Sequence, residues 1–473
     1  VAVLAAGTVL RLWLALGDDG VYWPDEIMQS LEQAHRLVFG YGLVPWEFVQ
    51  GVRSWTFPGL LGGLIQAGAV VGLDEPRQYL TLVRLALVAV AAATGVGVWW
   101  LARAHGASPL AAAAGVSLFA LGAPMIYFAP RALTETVSAA PVVAGLALAL
   151  RPAAGHRSVV AGSALLGLAT ALRLHNGIFC VALLAVLLAR GRRGAAARAV
   201  AALATLAAAY ALLDWATWGG PLHSVAGYVR FNVVEGRASD WGTHPLHYYA
   251  ETLHSSMGPA AVVLGGLAAL AVVRAPGLVL AAAAYLLGHS LVPHKELRFV
   301  VPVLPVLAAL AGVGLQVVLD RLPRPGAPAL RTAVVAAVLA AATLSAARLP
   351  GLTVADVGLD PRSTASALDH LGPLNRLLLA AGGRADLCGL LVRGVDVSWT
   401  GGYTYLHRRV PLYDEFETRP PGDESANYVV APDEGRALQA VARDGDWALA
   451  RLHDGPCAPD AGYTFRIPSA FTG

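Results

Sequence analysis

The chain has 473 residues, 56% of them hydrophobic, and a mean hydropathy of +0.58, well above the apolar share of an ordinary soluble domain. That composition excludes a soluble globular protein and describes a polytopic α-helical membrane protein. The formal net charge of +3 is too small to mark a nucleic-acid partner. The 34 Lys+Arg residues include a single lysine, Lys295; the abundance of arginine and alanine reflects a GC-rich genome.

The opening run "VAVLAAGTVLRLWLAL" lacks a small-residue cleavage pattern after it and reads as a retained anchor. Just beyond it, in "VYWPDEIMQSLEQAHRLVFG", Pro24 and the pair Asp25–Glu26 open a helix. Carboxylates at a helix start suit the macrodipole, so capping alone can account for them. "GVRSWTFPG" supplies Arg53 and leads into an apolar stretch, 57–73, that either crosses the membrane or lies in its interface.

A span needs about 20 mostly apolar residues. This criterion places crossings near 1–17, 81–102, 109–127, 133–150, 157–172, 176–190, 197–214, 257–273, 276–291, 299–318 and 331–347, about eleven in all. With 57–73 interfacial or re-entrant, one side collects Arg103, Arg151, Arg157, Arg190, Arg192, Arg193, Arg198, Arg274, Arg321, Arg324 and Arg331. The positive-inside rule makes that side the cytoplasm. The loops 18–80 and 215–256 and the tail then face outward.

Further polar clusters fall on the outer side: "FAPRALTETVSA" with Arg131 and Glu135, "LRLHNGIF" with Arg173, His175 and Asn176, and "PHKELRFVVPVLP" with His294, Lys295, Glu296 and Arg298. Singly, such residues are accounted for by snorkelling or packing. Their recurrence at helix ends on one face points to a shared site. A compact ammonium with Arg298 and His294 close by suits a phosphate, and Glu296 can pair with one of the cations.

The tail changes character after 348. We divide the chain into a transmembrane region, 1–348, and a small α/β domain, 349–473, in which "ESANYVVAPDEGRALQAVARDGDWALARLH" reads as strand, helix, strand. "WTGGYTYLHRRVPLY" suits either a carbohydrate-stacking surface or a hairpin with core tyrosines. Cys388 and Cys457 can pair if the tail faces an oxidising compartment, whereas Cys180 is a packing residue. "WGTHPLHYYAETLH" has His244, His247 and His254 at no zinc-site spacing, and its aromatics suggest an interfacial belt, so no metal is expected.

The segments "WPDEIMQSLEQAH", "VRSWTFPGLL", "APRALTETVSA", "LRLHNG" and "HKELRFVVPVLP", taken in order, resemble the signatures of glycosyltransferase family 22, including its bacterial members. These are the mannosyltransferases of dolichol-linked oligosaccharide and glycosylphosphatidylinositol-anchor assembly. Trp23 stands where the family usually has histidine before Pro-Asp-Glu. The resemblance implies a GT-C fold and an inverting transfer of a sugar, typically mannose, from a polyprenyl monophosphate, with no cofactor or metal. It also implies that the catalytic base is Asp25 or Glu26, of which we take Asp25. Glu26, Glu135, Arg173, His175, Asn176 and Glu296 are then supporting groups. His294, Lys295 and Arg298, with Arg53 and Arg131, are donor-phosphate ligands. The expected setting is a bacterial plasma membrane with an extracytoplasmic glycan, glycolipid or protein acceptor. A lipid-linked-sugar transporter and a non-catalytic sugar- or lipid-binding protein are the competing readings; a transporter calls for midplane charges and repeats, which this sequence does not display.

Overall fold

The computed structural model describes residues 1–322, 328–416, 424–433, 439–458 and 462–467. Arg324 and residues 434–438, inside the expected tail helix, lie outside the described residues. Helices coincide with every expected crossing, from Ala2–Gly17 and Pro76–Ala104 to Leu304–Arg321 and Pro328–Ala347. Among the described residues, four helical segments are long and apolar enough to cross a membrane: Pro76–Ala104, Arg193–Trp218, Leu304–Arg321 and Pro328–Gly351. The ambiguous stretch forms the helix Thr56–Val70.

By backbone proximity the chain forms two compact units, Val1–Ala15 with Leu85–Thr364, and Leu16–Arg84 with Ala365–Gly473. This differs from a division at 348/349, because residues 16–84 group with the tail and not with the bundle.

The first unit is a helical bundle whose small residues let backbones approach closely. A Cβ at Gly314, on Leu304–Arg321, would lie 1.8 Å from the Leu267 carbonyl oxygen of Pro259–Leu270, so only glycine fits. Arg11 shows how the bundle keeps a charge inside an apolar helix. It is 1% exposed, and its guanidinium donates to the carbonyls of Gly7, Phe119, Ala120 and Met125 at 2.8–3.2 Å. Phe119 and Ala120 end the helix Pro109–Ala120, where carbonyls lack intrahelical donors.

The second unit is organised around a five-stranded sheet: β1 (Leu390–Val392), β2 (Leu412–Asp414), β3 (Tyr428–Pro432), β4 (Gln439–Asp444) and β5 (Trp447–Arg451), in the order β2-β1-β3-β5-β4. β1 runs parallel to β2 and β3, and β5 antiparallel to β3 and β4. The helix expected between the strands "NYVVAP" and "WALARLH" is therefore corrected where it is described: "QAVARD" is β4. Its helix-forming alanines and arginine are overridden by pairing with β5 and by an edge position that alternates exposed and half-buried residues. Cys388 and Cys457 form a disulfide with Cα atoms 5.7 Å apart.

Residues 399–413 do not form a hairpin, since Leu412–Asp414 pairs parallel with β1. They contain the short helix Gly402–Leu406, and Tyr403, Tyr405 and Tyr413 are fully buried. The glycines serve another purpose: Gly402 adopts a left-handed φ of 53°, and a Cβ there would sit 3.0 Å from the Glu32 carboxylate. This close approach lets Glu32, fully buried on the helix Glu32–Phe39, accept from the backbone N–H groups of Tyr403 (3.1 Å) and Thr404 (2.9 Å) and from the Thr404 hydroxyl (2.7 Å). The Leu43 N–H donates a fourth bond at 2.7 Å. Nearby, the buried Asp19 pairs with Arg77 (2.6 Å) and Arg84 (3.3 Å), and Asn375 donates to its carbonyl at 2.7 Å.

Replacing Glu32 by alanine leaves these donors without their acceptor in a dry site. The expected cost is about 3 kcal/mol, read as loss of hydrogen-exchange protection at the Tyr403 and Thr404 amides; unchanged protection would contradict this role.

Candidate active site

In the second unit, Trp23 is extended and Pro24 begins the helical turn Pro24–Glu26. Proline suits a first helical position because its missing N–H would have no partner there. A π-helical segment, Ile27–Leu31, follows directly; such insertions are frequent at functional sites. The two acids diverge. Glu26 is buried and its Oε2 accepts the Tyr22 N–H at 3.1 Å, a local backbone cap. Asp25 is half-buried, and its Oδ1 accepts from Gln29 Nε2 at 2.7 Å.

The same Gln29 nitrogen donates to Glu47 Oε1 at 2.8 Å. Glu47, on the short helix Trp46–Val49, is 8% exposed. Burial pushes its carboxyl up to about 7; the Arg53 guanidinium and the Gln29 bond oppose the shift and Asp25 adds to it. Sequence reasoning missed Gln29 and Glu47. The available signals were the i, i+4 spacing of Gln29 from Asp25 and an isolated acid in the apolar stretch "LVPWEFV".

In the first unit, the ends of three helices bring a charged cluster together. Glu135, in the first turn of Thr134–Ala149, pairs with Arg173 at 2.9 Å and lies 3.6 Å from Arg298; the Thr134 hydroxyl donates to its other oxygen at 2.9 Å. Arg298 also grips Glu296 with two bonds, at 2.6 and 3.0 Å, and His294 Nε2 lies 2.9 Å from the same carboxylate. The guanidinium groups of Arg173 and Arg298 lie 4.8 and 5.2 Å from the Phe299 ring centroid. Burial alone would push the Glu296 carboxyl up, but the Arg298 guanidinium, helped by His294, overrides it and holds it at about 2.

The expected nest of His294, Lys295 and Arg298 is thus divided. His294 and Arg298 engage Glu296, whereas Lys295 turns to the His244 carbonyl (2.8 Å) and the Pro293 carbonyl (3.4 Å). Among the described residues, Lys295 has no carboxylate within ion-pair distance, although it is only 2% exposed. Burial lowers its affinity for the proton. His175 contacts the Tyr228 hydroxyl at 3.2 Å, and Asn176 donates to the Ala169 carbonyl at 2.9 Å, finishing the preceding helix. Arg131 is buried with its guanidinium 4.7 Å from the Tyr127 ring centroid. Of the aromatics expected to form an interfacial belt, Tyr248 and Tyr249 are buried, whereas Trp241 is exposed.

In the first unit, carboxylates and arginines thus gather at the ends of apolar helices, and in the second an acidic pair opens a helical turn; the overall chain trace is that of the GT-C membrane fold. ArnT from Cupriavidus metallidurans, solved bound to undecaprenyl phosphate, matches with a TM-score of 0.62 at 16% identity, covering 97% of this chain and 99% of that one. The Archaeoglobus fulgidus oligosaccharyltransferase matches with a TM-score of 0.51 at 12% identity, covering 91% and 68%. At these identities the likeness is one of fold. The family model described as the Alg9-like mannosyltransferase family matches residues 2–355, and the chain belongs to that family. Relatives include GPI mannosyltransferase 3 of Yarrowia lipolytica, 32% identical over 315 residues, which cover 64% of this chain and 60% of that protein. The Drosophila melanogaster protein of the same name is 27% identical over 299 residues, 60% of this chain and 51% of that protein. The chain thus spans three-fifths or less of the length of these curated relatives. The family resemblance read from the five sequence segments is borne out.

The Glu296–Arg298 pair has a pH signature. With Glu296 held below its ordinary value near 4.5, its stabilisation is complete above about pH 4.5 and is lost as the pH falls toward about 2. Arg298→Met should lower stability at pH 7 by about 3 kcal/mol and shrink the acid-side loss in that window, measured by thermal unfolding in nanodiscs. A variant with the wild-type profile would contradict the pairing.

Proposed function

We propose that the protein is an inverting glycosyltransferase that moves a sugar, by family mannose, from a polyprenyl-phosphate donor to an extracytoplasmic glycan, glycolipid or protein acceptor at a bacterial plasma membrane. The observation that carries this reading is the family match over residues 2–355, which contains all the charged segments described above. An ArnT structure holding undecaprenyl phosphate on a similar fold supports the lipid-phosphate part of the donor.

In the reaction, the acceptor hydroxyl oxygen attacks the anomeric carbon while the bond from that carbon to the phosphate oxygen breaks. Asp25 takes the hydroxyl proton as general base. Its partial exposure suits this role, whereas Glu26 is committed to the Tyr22 backbone. The leaving polyprenyl phosphate gains negative charge and needs cations more than a proton. Lys295 is the leading ligand, since a nearly buried ammonium held only by carbonyl oxygens is a charge still to be matched. Arg298, His294, Arg53 and Arg131 are the further donor-phosphate ligands. Glu135, Arg173, His175, Asn176 and Glu296 hold that region in shape.

For the acceptor, the second unit carries a groove of 460 Å³ lined by His370, Leu371, Val395, Asp396, Trp399 and Phe416. Its aromatic rings and carboxylate suit a sugar ring. Trp399 packs edge-on against Trp23, two residues before Asp25, with centroids 5.2 Å apart.

The test is transfer from radiolabelled polyprenyl-phosphate mannose in membranes carrying each variant. Asp25→Asn should lower transfer by about 10²–10⁴-fold with donor binding intact. Lys295→Ala should weaken donor binding roughly 10- to 100-fold. Wild-type transfer in both variants would sink the assignment. Phe416→Ala, at an exposed position, should raise KM for the acceptor several-fold and leave KM for the donor unchanged; an unchanged acceptor KM would remove the groove from the account.

A further inference from the structure

We propose that Gln29 and Glu47 are positioning residues that clamp the Asp25 carboxylate, Gln29 as the bridge and Glu47 as its buried hold, so that transfer depends on Glu47 being ionised. This rests on Asp25 being the base. The geometry is specific. A glutamine amide nitrogen has two hydrogens, and Gln29 Nε2 spends one on Asp25 Oδ1 (2.7 Å) and one on Glu47 Oε1 (2.8 Å). Gln29 lies within the π-helical segment Ile27–Leu31, immediately after the acidic pair. Glu47 comes from a separate short helix and is buried, so Gln29 joins two pieces of the loop at the carboxylate that is to take the proton.

The clamp differs from ordinary packing because its grip depends on charge. A bond from an amide N–H to an ionised carboxylate is about twice as strong as one to a neutral group. The charged groups acting on Glu47 are Asp25, on the segment that carries Gln29, and Arg53, beyond Glu47's own helix. With the Glu47 carboxyl pushed up to about 7 by burial, the hold on Gln29 is full above that pH and weakens as the pH falls through it. Turnover should follow, while donor binding, which Glu47 does not touch, should not.

The first arm of the experiment needs no substrate. In full-length protein in nanodiscs, the carboxyl infrared band that is absent from Glu47→Gln is titrated. Asp25→Asn removes a neighbouring negative charge and should shift the Glu47 midpoint down; Gln29→Ala removes a donor and should shift it up, each by about one unit. A midpoint unmoved by either change overturns the proposal. The second arm measures kcat against pH. Glu47→Gln and Gln29→Ala should lower kcat at least tenfold with donor KM unchanged, and Glu47→Gln should lose the acid limb near pH 7. If Asp25→Asn abolishes transfer while Glu47→Gln keeps the wild-type kcat and profile, the clamp alone falls. If Asp25→Asn transfers sugar normally, the base assignment falls, and the clamp's catalytic role with it.

Discussion

A carboxylate taken out of water must be met by donors or by a cation, and that constraint shapes both units of this protein. Glu32 is met by three backbone N–H groups and a hydroxyl, Glu135 by Arg173, and Glu296 by a two-pronged Arg298 with His294 beside it. Each solution costs conformational freedom and returns rigidity. Glu32 ties residues 16–84 to the tail, two stretches that form one unit although hundreds of residues of helical bundle intervene. Glu135 and Glu296 lock helix ends of the other unit around Phe299.

Chemistry is assigned to two groups in different settings. Asp25 is half-buried beside a glutamine shared with another acid, and Lys295 is a nearly buried ammonium resting on carbonyl oxygens. A base has to exchange a proton, and a phosphate ligand has to keep charge in reserve. Groups fully spent on structure, such as Glu26 on Tyr22 or Asn176 on Ala169, cannot easily do either.

Much of this was legible from the amino-acid order. Apolar length marks the helices, and charged segments at their ends mark the clusters, because a charge near the membrane is costly enough to stand out. The pairing of Glu296 with a nearby cation was also readable, since the partners are two residues apart. What was not legible depends on distant partners. The glycines of "WTGGYTY" suited a hairpin or a stacking surface because nothing local reveals that Gly402 must admit Glu32, 370 positions earlier. β4 read as helix because its alanines favour one, and only pairing with β5 decides otherwise. Glu47 went unnoticed because a lone acid between apolar residues has no local pattern; its partner is reached through Gln29, 18 positions away.

The proposed reaction uses one carboxylate as base in a single displacement at the anomeric carbon. The most direct measurement is the anomeric configuration of the product, read by NMR after transfer from polyprenyl-phosphate mannose labelled with ¹³C at the anomeric carbon. Inversion relative to the donor is the predicted result. Retention would require a sugar-bound intermediate and a second displacement, and would contradict the assignment of Asp25 as a base.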